Sequence, residues 1–177
     1  LALEADHIVN LPRLKCHEQM GLTLAVKNFF GCVCGFRKSL AHQTLGKDSA
    51  RFAAMILDVY AALPPSTSLL DGIIAMHKAG PVGGEPFALG LLAAAANPVA
   101  LDTAIYAALG LSPEGIPLWR AGRDRELAGA EPGDLVFPRL LPADFCFDGF
   151  VVKPGLAPLS FEAGRFVRGR IKSLLVT

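Results

Sequence analysis

A chain of 177 residues with 52% hydrophobic and 19% charged side chains fits one domain with a substantial core, which excludes intrinsic disorder. The net charge of +1 provides no global field for nucleic acid or membrane surfaces, so no nucleic-acid partner is expected. The most apolar run, residues 89–96, stops at Asn97-Pro98 and falls short of the roughly 20 residues of a transmembrane segment.

In chain order, residues 7–11 read as a short buried strand ended by Pro12, and residues 22–29 as helical. Gly31 and Gly35 break that pattern, and a polar loop is expected as far as Lys47. Asp48 suits an N-cap for a helix in which Phe52, Met55, Ile56, Val59 and Leu63 recur at helical spacing, ending before Pro64-Pro65. Residues 67–70 form a strand delivering Asp71-Gly72, a good turn dipeptide, and residues 73–76 lead into a breaker-rich loop from Gly80 to Pro86. Residues 88–95 read as another buried strand.

Asn97 then caps a helix with Pro98 at its first position, running to about residue 109. A further amphipathic helix covers residues 117–127, and residues 134–137 and 147–152 are candidate short strands. Residues 161–175 carry Arg165, Arg168, Arg170 and Lys172 among apolar positions, a basic amphipathic pattern. Alternating strand and helix signals, with strands read as buried on both faces, predict an α/β fold: a three-layer sandwich with a mostly parallel sheet. Residues 1–129 form its core and residues 130–177 an irregular extension. The chain opens at Leu1 in mid-pattern, and a piece of a longer protein is expected.

The chemistry concentrates between Asn10 and Gly35, where Lys15, Cys16, His17, Lys27, Asn28, Cys32 and Cys34 crowd a glycine-punctuated stretch. Core packing alone seldom asks for that mixture, because lysine is almost never fully buried unless paired. From Arg13 to Lys47 the basic residues Arg13, Lys15, Lys27, Arg37, Lys38 and Lys47 face one acid, Glu18. That surplus favours a small anionic ligand, although a solvated loop face explains the pattern as well. The cysteines lack zinc-site spacing. In a cytoplasmic protein reduced thiols are the default. Cys16, between Lys15 and His17, is the thiol whose ionisation is expected to be eased; Cys146 is expected to be buried and His77 exposed.

In open α/β sheets ligands collect beyond the carboxyl ends of strands. Three such ends carry Lys15-Cys16-His17, Asp71-Gly72, and Asn97 with Asp102 one turn on. Each has a plainer reading as a turn, a cap or a helix-start carboxylate.

Asn10-Leu-Pro-Arg-Leu-Lys-Cys-His17, Gly21 through Lys27-Asn-Phe-Phe-Gly31, His42, Leu70-Asp-Gly-Ile-Ile74, Gly80-Pro81 and Asn97-Pro-Val-Ala-Leu-Asp102 together resemble the domain-of-unknown-function family numbered 362. The likeness covers about residues 3–111. It implies a longer iron–sulfur-associated redox protein, with a ferredoxin-type module or electron-transfer partner and a [4Fe–4S] cluster in a part outside this chain. The chain departs from the family pattern at Cys16 (threonine in the family), Cys34 (proline), His77 (an acid) and Asn97 (aspartate). More faintly, the order His17, Lys27, Gly31 and Gly35, His42 is similar to nickel-pincer lactate racemases. That likeness implies Lys27 as tether of a nickel-containing cofactor, His42 as metal ligand and His17 as the proton-transfer residue.

The combined expectation is a site in which Lys15 and Lys27 hold an anion, with Asn28 and Asp102 completing the cofactor-binding set. His17, Lys27 and Asp71 form the catalytic set, and His42 and His17 the metal-ligating set. Three functions follow: a ligand-binding redox-associated domain, a racemase or isomerase acting on a 2-hydroxy acid, or a non-catalytic docking scaffold for a ferredoxin module. Whether the chain is an enzyme stays open at this level.

Overall fold

The computed structural model describes residues 1–80 and 83–152. The chain forms an α/β sandwich around a mixed five-stranded sheet. The strands are β1 (Ile8–Asn10), β2 (Arg13–His17), β3 (Gly21–Thr23), β4 (Ser66–His77) and β5 (Glu85–Ala95). Central β4 runs parallel to both β1 and β2, which follow one another along the same edge. β5 pairs antiparallel on its other edge, and β3 pairs antiparallel with β2. Pro12 separates β1 from β2 because it has no amide to donate, yet its carbonyl accepts the Asp71 amide at 2.9 Å.

The Asp71-Gly72 dipeptide does not end a strand. It sits at an irregularity inside β4: Arg13 lies opposite Asp71, but Lys15 already lies opposite Met76. Asp71 Oδ1 accepts the Ile73 amide at 3.1 Å, a local turn that absorbs the extra residues and merges two expected segments into one strand.

The helices are α1 (Ala25–Asn28), α2 (Phe36–Leu45), α3 (Ser49–Ala61), α4 (Pro98–Ala108) and α5 (Pro117–Asp124), with a 3-10 turn at Phe29–Cys32. Asp48 Oδ1 accepts the amides of Ala50 and Arg51, and Asn97 Oδ1 those of Val99 and Ala100, so both expected caps are made. The span 22–29 divides between β3 and α1 instead of forming one helix. The expected loop before Lys47 is α2, a polar helix with none of the apolar stripe that would announce it. Residues 134–137 and 147–152 form no strand; 3-10 turns at Pro132–Asp134 and Pro142–Asp144 stand in that region. The basic pattern at 161–175 lies outside the described residues.

One core cluster joins Leu14, Cys16, Leu22, Leu70 and Leu91 of the sheet to Leu101, Ile105 and Tyr106 of α4. A second lies among the helices, with Phe52, Ile56 and Leu57 of α3 against Val26, Phe30, Val99 and Leu118. Strand alternation sends the other set of side chains to the opposite face. There Val9 (69% exposed), Leu69 (44%) and Leu92 (57%) stand open, with Leu11 and Ile73 also exposed. The strands are therefore not buried on both faces; one side of the sheet carries uncovered aliphatic groups.

Candidate anion-binding site

Along β2, Leu14 and Cys16 point into the core, so Arg13, Lys15 and His17 take the other face. The β2–β3 hairpin sets Thr23 opposite Lys15 and Gly21 opposite His17. Gly21 has φ +74°, and a Cβ there would collide with Ile116, so the turn requires glycine. The Gln19 amide donates to His17 Nδ1 at 3.1 Å, which leaves the proton of the neutral ring on Nε2.

Lys27 is set by polar ties at both ends of α1. The Asp102 carboxylate, 3% exposed, accepts the amides of Ala25 (2.7 Å) and Val26 (3.0 Å). Asn10 Nδ2 donates to the Ala25 carbonyl and to Ser68 Oγ, each at 3.0 Å, and Asn28 Nδ2 donates to Asn10 Oδ1 at 2.8 Å. A single turn of helix is unstable alone, so these ties from β1, β4 and α4 fix its place. They hold Lys27 at 9% exposure, its Nζ 6.0 Å from the centre of the Phe30 ring. Lys38 Nζ approaches the same ring at 5.4 Å. The His42 ring meets Phe30 edge-on at 5.2 Å and Phe52 at 4.9 Å.

The groups perturb one another in one direction. Burial lowers the Lys27 amine from 10.5 to about 8, aided by the charges of Lys15 and Lys38. Burial takes His17 from 6.5 to about 3, with further push from Lys27, His42 and Lys15. His42 falls to about 4 through burial, Lys27 and Lys38. Among the described residues no carboxylate pairs with Lys15, Lys27 or Lys38. Thr23 Oγ1 and His42 Nδ1 are buried without a hydrogen-bond partner there.

Lys15, His17 and His42 each lie within electrostatic reach of Lys27. Asn28 is exposed and serves through Asn10. Asp71 lies outside the cluster, its Oδ2 accepting Arg13 Nε at 3.2 Å. Asp102 is consumed by α1: it positions Lys27 and is closed to a ligand. Burial raises the Asp102 carboxyl from 3.8 to about 8 against the opposing pull of the two amides.

Three side-chain expectations are corrected. Cys16 is buried and its thiol is pushed up to about 11, so its ionisation is hindered. His77 is buried between Phe87 and Phe150, where its Nδ1 accepts the Val151 amide at 3.4 Å. Cys146 is exposed. Thr23 and Phe30 join the site without having been singled out from sequence, and Lys38 comes to it from the basic surplus between Arg13 and Lys47. Reading residues 21–23 as a strand would have paired Thr23 with Lys15.

No three His, Cys, Asp or Glu side chains among the described residues come close enough to share a metal ion. His17 and His42 with Lys27, the trio of the racemase likeness, are near one another but gain no third ligand of those types. Cys16 is in the core while Cys32, Cys34 and Cys146 are exposed, a set that does not fit a four-thiolate cluster. An apolar groove of about 720 Å³ between β5, α4 and residues 134–147 shares no residue with the cationic cluster.

The family model described as "Domain of unknown function (DUF362)" matches residues 1–107. The chain is 38% identical over 177 residues to the Synechocystis protein named "Thylakoid-associated protein sll1697". That similarity covers 99% of this chain and 54% of the relative, so the chain spans about half the relative's length. No solved structure matches it. Among the described residues no helix is long and apolar enough to cross a membrane.

Proposed function

The chain belongs to the family described as a domain of unknown function, DUF362, and on that premise we propose that it binds a small carboxylate or phosphate anion between Lys15, Lys27 and Lys38. The single observation that carries this reading is the convergence of three lysines and two depressed imidazoles with no carboxylate among the described residues to neutralise them. A bound anion restores that charge balance, and the reading is supported by Thr23 Oγ1, a donor opposite Lys15 that has no partner among the described residues. The wider setting is a longer redox protein on the cytoplasmic side, with an iron–sulfur module outside this chain. That part rests on the family likeness, and a membrane-surface location on the relative's name.

The pH dependence follows from the signs. An anion favours the charged form of His17 and His42, whose free values lie near 3 and 4, so binding takes up protons and tightens as pH falls from 8 towards 5. Above pH 8 the Lys27 amine loses its charge and binding weakens further. Titration calorimetry with oxalate and with inorganic phosphate at pH 5.5, 7 and 8.5 is expected to show this trend, with affinity falling as salt rises. Lys15→Ala and Lys38→Ala should each weaken binding by roughly fivefold to tenfold. Absence of binding, or affinity indifferent to both substitutions, removes the reading.

A further inference from the structure

We propose that Lys27 is a reacting amine for a 2-oxo acid, its Nζ condensing with the keto carbon while Lys15 and Lys38 hold the carboxylate. This rests on the anion-binding reading and assigns that site a ligand class and a covalent step. Lys27 differs from the other two lysines of the cluster in being nine-tenths buried, on a helix turn fixed by Asp102 and Asn10. Its Nζ faces the Phe30 ring and has no carboxylate partner among the described residues. A desolvated amine crowded by two cations gives up its proton more readily than a free lysine, and the deprotonated form is the one whose lone pair attacks a carbonyl.

The step balances without a further reactant. The amine adds to the keto carbon to give a carbinolamine, which loses its oxygen as water to leave the carbon–nitrogen double bond. The proton shed by nitrogen passes to an imidazole and leaves with that water. His17 and His42, both within electrostatic reach of Lys27 and neutral at pH 7, are the groups placed to relay it. The His42 Nδ1 lone pair, buried and without a partner among the described residues, is free to accept it.

The test is reductive trapping. The full chain is incubated at pH 7 with pyruvate or glyoxylate and cyanoborohydride, digested, and the modified lysine located by mass spectrometry. The expected result is alkylation of Lys27 in preference to each other lysine by roughly tenfold or more, suppressed by oxalate. Lys27→Arg, which cannot condense with a carbonyl, should lose the adduct while its far-ultraviolet circular dichroism matches that of the wild type. Modification spread over surface lysines with Lys27 bare overturns the inference. Oxalate binding by calorimetry without Lys27 trapping ends this inference alone, whereas no oxalate binding ends both it and the reading beneath it.

Discussion

Lys27→Met is expected to stabilise the fold at neutral pH while silencing the site. The ammonium is buried without counter-charge among the described residues, and its pKa falls from 10.5 to about 8. At about 1.4 kcal/mol per pKa unit, and allowing for relaxation and water penetration, the charge costs the folded state about 2 kcal/mol at pH 7. Methionine fills a similar volume without the charge, so urea unfolding should show a gain of that order. The sign carries a second check. Between about pH 8 and 10.5 the folded wild type binds fewer protons than its unfolded chain, so its stability rises with pH through that window. The gap to the Met variant should therefore close by pH 10.5. Oxalate affinity should fall by roughly a hundredfold, since a central desolvated charge is removed. A less stable Met variant would mean that the ammonium is paired in the folded protein.

Asp102→Ala should cost about 3 kcal/mol of stability, because it leaves two buried amides, Ala25 and Val26, without an acceptor. It should also weaken ligand binding without touching ligand, by releasing the turn that carries Lys27. Asp102→Asn keeps one acceptor oxygen but sets an N–H donor against a second amide, so it should fall between wild type and Ala. Its pH profile separates charge from shape. Burial raises the folded carboxyl to about 8 against an ordinary 3.8, so its contribution to wild-type stability is fullest below about pH 4 and declines as pH rises towards 8. The Asn variant should lack that decline. Chemical unfolding at pH 5 and 8.5 measures the difference.

What could be read from the sequence was whatever depends on neighbours along the chain. Asp48 and Asn97 cap within three residues of themselves, and α3 shows its stripe at 52, 55, 56 and 59, so both were legible. β2 was harder. Arg13-Leu-Lys-Cys-His17 does alternate with period two, but its outward positions hold the site's own residues, so a structural pattern looked like a purely chemical one. α2 buries none of its described side chains and gives no periodic signal. The role of Asp102 depends on amides 76 and 77 residues away, beyond any local reading. Asp71 misled in the other direction: the turn chemistry of Asp-Gly was real, but it shaped an irregularity within β4 and not the mouth of a site. Aliphatic composition could not distinguish a strand covered on both sides from one covered on a single side, and Val9, Leu69 and Leu92 are the result.

The open aliphatic side of β1, β4 and β5 runs into Arg13 and Lys15, which project from the same side. A roof of protein laid across it would displace solvent from above the lysines. Coulomb energy varies inversely with the medium's permittivity, about 80 in water and effectively about 20 near a protein surface. Under such a roof a given anion would be held more tightly and with less sensitivity to ionic strength than on the bare chain. Assembly on that side would then tune occupancy of the lysine cluster without altering any residue in it.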